Sequence, residues 1–177
     1  MKFRETPLVG AWIIELEPIK DERGFFARSW CRNEWLERGL NPHLVQCNIV
    51  WNCKRGTLRG MHWQDAPHAE AKLVRCTRGA IYDVILDLRP ASPTWKQWFA
   101  IELSALNRTM LYIPEGFAHG LQTLQDDSEV FYQMSEEYHP ESARGVRWND
   151  PAFGIEWPDA KRIIAARDAA FPDYEFA

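Results

Sequence analysis

Long hydrophobic runs are missing from this chain: no apolar stretch among its 177 residues approaches the length needed to span a bilayer. A membrane helix is therefore not expected. Runs of one charge are missing too, since Lys and Arg stand singly or in pairs, and 21 of them against 25 Asp and Glu leave a net charge of -4. Such a chain has no general attraction for polyanions, so nucleic acid is not an expected partner. The first 14 residues are interrupted by Lys2, Arg4 and Glu5 and lack the apolar centre of a secretory signal, which makes a cytoplasmic protein the expectation. The four cysteines, Cys31, Cys47, Cys53 and Cys76, form no C-x-x-C pair, which points to reduced structural thiols. No internal repeat or low-complexity segment is visible.

What the chain does have is aromatic surplus and regular punctuation. Nine Trp stand among 46% apolar and 26% charged residues, the balance of a folded protein with either a large core or a pocket that stacks flat rings. The length fits one domain spanning residues 1–177. Turn signals recur every ten or so residues, among them Asp21 to Gly24, Lys54 to Gly56, Arg78 to Gly79 and Pro114 to Gly116, with β-branched and aromatic runs between them. That spacing predicts an all-β sandwich or barrel. The clearest strand is Ala80 to Leu88, whose partial alternation suits a strand with polar groups aimed into a cavity. A helix is predicted at Cys31 to Arg38, with Asn33 as its cap and Gly39 as its stop, and a weaker one from Asp159 to Ala170.

Three segments could carry chemistry. In RGTLRGMHWQ (Arg55 to Gln64) strict alternation separates Arg59 from His62, and a bulge at Gly60 would reunite them. Taken alone, His62 reads more simply as a buried, hydrogen-bonded histidine. Lys72 opens a Val-rich strand, where it is either a solvated strand end or a charge reaching into a barrel. YIPEGFAHG sets His119 behind Pro114 and Gly116, which together fix the turn entering a strand.

The P-x-G-x-x-H arrangement resembles the second half-motif of the cupin superfamily, and its metal-binding members pair it with an H-x-H strand. This chain reads His62-Trp63-Gln64 there, and an amide is a poor transition-metal ligand. A site of His62, Glu70 and His119 can be drawn for a metal-dependent oxygenase or isomerase, but no metal is the favoured expectation. DERGFF, RGTLRGMHWQ, AKLVRCTRGAIYDVILDLRPASPTW, YIPEGFAHG, VFYQMSEEY, RGVRWNDPAFGIEWP and ARDAAFP resemble the dTDP-4-dehydrorhamnose 3,5-epimerase family, in order and nearly end to end. The resemblance implies a cupin jelly-roll barrel with short peripheral helices. It also implies a homodimer and a cofactor-free epimerase acting on a nucleoside-diphosphate 4-keto-6-deoxy sugar.

By that resemblance His62 is the base that removes the proton beside the ketone, with Asp168 as its orienting partner. Tyr132 is the acid on the opposite face, and Lys72 stabilises the enolate oxygen. His119 assists near that oxygen or positions neighbouring groups. Arg23 and Arg59 match residues that hold the diphosphate, Tyr138 matches one near the sugar and nucleotide, and Phe26, Arg28, Gln46 and Asn48 complete the binding set. Outside the matched segments, Tyr132 and Tyr138 would read as core aromatics.

The chain departs from the family pattern in two places. Val50 and Asn52 stand where relatives carry hydroxyl residues after Gln46 and Asn48, and Arg28 stands where many carry an acid. An arginine offers only donors and suits cytosine or another acceptor edge better than the N3 hydrogen of thymine. A CDP- or GDP-linked sugar, inversion at one carbon only, and a non-catalytic sugar-nucleotide binding cupin stand as alternatives.

Overall fold

The computed structural model describes residues 1–175. In chain order its elements are β1 (Lys2–Glu5), β2 (Trp12–Glu15), β3 (Ile19–Asp21), β4 (Gly24–Phe26), α1 (Arg32–Leu36), β5 (Gln46–Asn52), β6 (Thr57–Gln64) and β7 (Lys72–Arg78). They continue with β8 (Ala80–Asp87), β9 (Trp98–Ser104), β10 (Met110–Ile113), β11 (Phe117–Thr123), β12 (Ser128–Met134), β13 (Ala143–Gly145), β14 (Ile163–Ile164) and α2 (Ala166–Ala169). One sheet runs β1-β2-β10-β7-β12-β5 and the other β13-β6-β11-β8-β9, with β14 added in parallel to β6. Strands β5 to β12 thus interleave as 5-12-7-10 facing 6-11-8-9, which is a jelly roll.

The inner faces meet over Ile13, Val74, Cys76, Ile81, Ile85, Leu103, Leu111, Phe117 and Val130, all buried. This apolar plug fills one end of the sandwich and leaves the other open. The outer face of the second sheet is covered as well, because Leu58, Met61, Val84 and Leu86 pack against Val146, Phe153 and Trp157 of the C-terminal segment. Hence β8 is buried on both faces, and its aspartates Asp83 and Asp87 are fully buried. Trp35 of α1 seals a third cluster on the outer face of the first sheet, with Ile14, Leu73, Met110 and Tyr112.

Both predicted helices are shorter than expected. Cys31 occupies the cap of α1 in extended conformation and makes no side-chain capping bond, so Asn33 lies inside the helix. Gly39, at φ +67°, does end that turn. In the second case only Ala166–Ala169 is helical: the Ile163 N–H goes to the Gly56 carbonyl, and the β-branched pair Ile163–Ile164 joins the sheet beside Thr57 and Leu58. All four cysteines are free, Cys76 buried and Cys47 and Cys53 exposed. No described helix is long and apolar enough to cross a membrane.

Candidate active site

The open end of the sandwich holds a cavity of about 430 Å³ between the inner faces of β5, β7 and β12 on one side and β6 and β11 on the other. Its geometry begins with the predicted bulge. Leu121 pairs with Arg59 and His119 with His62, so two residues of β6, Gly60 and Met61, stand opposite the single Gly120. Met61 turns outward into the covered face, and Arg59 and His62 both line the cavity. Glycine is needed on both strands at this point. Gly60 has φ +123°, and a Cβ on it would collide with the Gly120 Cα, while one on Gly120 would collide with the Met61 sulfur.

His62 is held from outside its own strand. The C-terminal segment folds back so that Asp168 Oδ1 lies 2.9 Å from His62 Nε2, and Asp168 Oδ2 accepts the Gly60 N–H at 3.2 Å. Phe171 packs edge-on against the imidazole, with ring centroids 5.6 Å apart, in space that a side chain on Gly145 would fill. Burial alone would raise the Asp168 carboxyl. The His62 hydrogen bond and charge, with the Gly60 N–H and Arg167, outweigh burial and hold it below its ordinary value. An ionised Asp168 fixes one ring nitrogen of His62 as a donor and leaves the other with its lone pair, on a side chain still 41% exposed to the cavity.

Tyr132 projects from the facing wall, between Asn48 on β5 and Val74 on β7. Burial raises its phenol above the usual value. The Arg59 charge opposes that rise, the Glu70 charge adds to it, and an Asn48 contact opposes it more weakly. The group is therefore a protonated donor through the neutral range. Lys72 is nearly buried and ion-paired with Glu70 at 2.8 Å, and the other Glu70 oxygen is buried without a hydrogen-bond partner among the described residues. Gln46, Asn48 and Val50 extend this wall along alternate positions of β5.

A second histidine–aspartate pair stands beside the first. His119 Nε2 lies 2.8 Å from Asp83 Oδ1, with the histidine 12% and the aspartate 0% exposed. Arg59 is steered by its Nε donating to Asn52 Oδ1 at 2.8 Å, and the Asn52 amide in turn donates to the Ser128 carbonyl. Asn52, which with Val50 makes up one departure from the family pattern, thus positions a cavity arginine. Three predicted site residues therefore have partners that sequence reading did not assign: Asp83 for His119, Glu70 for Lys72 and Asn52 for Arg59. Arg144 and Arg167 also line the cavity. Both lay inside quoted motifs, RGVRW and ARDAAFP, and the only signal for them was their positive charge within those segments.

Of the residues singled out in the sequence, His62, Lys72, Tyr132, His119, Arg59, Gln46, Asn48 and Tyr138 line this one cavity, and Asp168 reaches it through His62. Arg23, Phe26 and Arg28 do not line it. Arg23 is bound to Asp21 at 2.5 Å with its side chain 83% exposed, Phe26 is 72% exposed, and Arg28 pairs with Glu34 at 3.2 Å. In the alternative donor set His62 pairs with Asp168, Glu70 with Lys72 and His119 with Asp83. A larger cleft of about 760 Å³ lies near Glu5 to Trp12 and Arg38 to Asn41, but its Arg89 is tied to Asp87 and its Glu115 to Asn41.

Comparison with known proteins bears on this arrangement. Residues 5–175 match the family model described as dTDP-4-dehydrorhamnose 3,5-epimerase. The chain is 42% identical over 170 residues to the dTDP-4-dehydrorhamnose 3,5-epimerase of Salmonella typhimurium, covering 95% of this chain and 92% of that protein. Its fold superposes on the crystal structure of the enzyme of that name from Elizabethkingia anophelis with a TM-score of 0.95 at 40% identity, covering 98% of this chain and 96% of the other. The counterpart from Bacillus anthracis, solved with TDP and PPi bound, gives 0.94 at 40% identity, with coverages of 98% and 99%.

Proposed function

Because the chain belongs to the dTDP-4-dehydrorhamnose 3,5-epimerase family, we propose that its cavity inverts C3 and C5 of a thymidine-diphosphate-linked 4-keto-6-deoxy sugar, with His62 as base and Tyr132 as acid. The observation that carries these roles is the placement of the two groups: His62 projects from β6 and Tyr132 from β12, on facing walls of one cavity.

The chemistry follows from the ketone. A carbonyl at C4 acidifies the hydrogens on C3 and C5, since the electron pair left by either proton is delocalised onto oxygen. The free nitrogen of His62 takes the proton from one face, and Asp168 stabilises the imidazolium so formed. The enolate oxygen is met by the Lys72 ammonium, which Glu70 holds in place, and by His119 beside it. The Tyr132 phenol then delivers a proton to the opposite face. Removal and return of a proton involve no change of oxidation state, so no redox cofactor enters the scheme. Arg59, Arg144 and Arg167 supply the positive charge for the diphosphate.

The binding residues outside the cavity fit a homodimer. Ile49 (65% exposed) and Trp51 (52% exposed) project outward from β5, an edge strand, and Ile19 and Phe26 are exposed on the β3–β4 hairpin. Uncovered apolar side chains on an edge strand call for a partner. In this reading Arg23, Phe26 and Arg28 serve the cavity of a second copy, and residues 1–177 form one catalytic domain working in the cytoplasm. Mixing the inactive variants His62→Ala and Arg23→Ala should restore part of the activity through hybrid dimers. No recovery, or a monomer by sedimentation, would remove the shared site.

The nucleotide is tested by thermal stability, because a ligand that binds only the folded state must raise the melting temperature. Thymidine diphosphate should raise it more than CDP or GDP at equal concentration. A larger shift with CDP would transfer the reaction to a cytidine-linked sugar and give Arg28 the role of reading its base. Conversion of the 4-keto-6-deoxy sugar nucleotide to its epimer, followed by proton NMR, tests the reaction itself.

A further inference from the structure

Outside the cavity, at its rim, two loops bring together a group of side chains that the epimerase chemistry does not use. We propose that His68, Glu136 and His139 form a binding site for a divalent first-row transition ion, with Zn²⁺ as the best-suited occupant. One ligand atom from each residue lies within 4.8 Å of the others. The site does not depend on the epimerase reading.

The donors are two imidazoles and a carboxylate, a set that suits Zn²⁺, Ni²⁺ or Cu²⁺ and not the oxygen-seeking Mg²⁺ or Ca²⁺. The two rings stack with centroids 3.5 Å apart and planes 10° from parallel. At Zn–N distances of about 2.0–2.1 Å a tetrahedral ion sets its ligand nitrogens roughly 3.3 Å apart, so binding requires the stacked rings to turn out of parallel and draw their donor atoms inward from within 4.8 Å. His139 is already oriented for this. Its Nδ1 lies 3.1 Å from Glu141 Oε1, while Nε2 faces Glu136 Oε1 at 3.9 Å. A carboxylate behind one ring nitrogen, with the other free for the ion, is the usual support of a metal-bound histidine. Water would complete the coordination.

The backbone beneath the donors is fixed without any ion. Buried Gln64 donates to the carbonyls of His68 (2.9 Å) and Glu137 (3.0 Å) and accepts the His139 N–H at 2.6 Å. Gln64 also lines the cavity, as does Tyr138, the neighbour of His139. An ion at this place ties the β6–β7 loop to the β12–β13 loop and stiffens the cavity rim, so its consequence is a clamp and not a catalytic step.

The test is titration of the full-length, chelator-treated protein with ZnCl₂ by isothermal calorimetry, with the visible ligand-field bands of bound Co²⁺ as a second reading. One ion per chain, tetrahedral Co²⁺ bands and a raised melting temperature are expected. Affinity should fall by more than about 100-fold in His68→Ala and His139→Ala and by about 10–100-fold in Glu141→Gln, whose carboxylate only orients a ligand. His62→Ala should bind the ion as the parent does. Absence of stoichiometric binding overturns the proposal, and so does binding that survives both His68→Ala and His139→Ala or is lost in His62→Ala. Should the alanine variants fail to fold, Glu136→Gln gives the same reading with the histidines in place.

Discussion

The two histidine–aspartate pairs of the cavity share one contact and differ in almost everything around it. Their Nε2–Oδ1 distances are 2.9 Å for His62–Asp168 and 2.8 Å for His119–Asp83. His62 is 41% exposed and its aspartate arrives from the C-terminal segment, 106 residues away. His119 is 12% exposed, and its aspartate comes from the adjoining strand and is wholly buried. Asp168 spends its second oxygen on the Gly60 N–H, whereas that of Asp83 has no hydrogen-bond partner among the described residues. The difference teaches that an orienting carboxylate does not by itself make a histidine a base. A base also needs an accessible nitrogen, and of the two histidines His62 is the more exposed, which is what supports the role proposed for it.

Breaking the comparison at the histidines should give the largest effect. His62→Ala should lower kcat/KM by about 10²–10⁴-fold, the range of a lost general base, and His119→Ala by far less. Equal losses would erase the distinction. At the aspartates, Asp168→Asn should leave Tm within a few degrees but lower kcat by about 10²-fold, since the amide cannot stabilise the imidazolium. Asp83→Asn should instead act on the fold, costing about 1–3 kcal/mol in a denaturant melt, because it replaces a buried hydrogen-bonded carboxylate.

The smallest effect concerns pH. The folded-state pKa of Asp168 lies below its ordinary value, so its contribution to stability is present above the normal carboxylate range and is lost as pH falls through that range to the lowered value. The stability difference between the parent and Asp168→Asn should therefore shrink on acidification. A difference that stays constant with pH would contradict the hydrogen bond from His62 to an ionised Asp168.

The pairs also show what could be read in advance. The Gly60 bulge was legible because glycine inside a strand marks an irregularity and because Arg59 and His62 needed a common face. His62 and Asp168 could be joined only through the family pattern, since no periodicity links positions 106 residues apart. Asp83 was hidden for another reason. An acid within AIYDVILDL suits any strand that borders a cavity, and only the register of β8 against β11 gives it His119. The expected helix from Asp159 shrank to one turn because Ile163 and Ile164 found a free edge of β6, a tertiary opportunity that propensity does not see. Arg23, Phe26 and Arg28 were expected at the cavity from the family pattern, and the sequence held no sign that their own chain would leave them outside it.

The most direct test of the central claim is hydrogen exchange at carbon. The thymidine-diphosphate 4-keto-6-deoxy sugar would be incubated in deuterated water and followed by NMR at C3 and C5. The parent should introduce deuterium at both carbons, Tyr132→Phe should still exchange protons while returning them to the wrong face, and His62→Ala should exchange neither. Undiminished exchange in His62→Ala, with the protein folded, would contradict the assignment of His62 as the base.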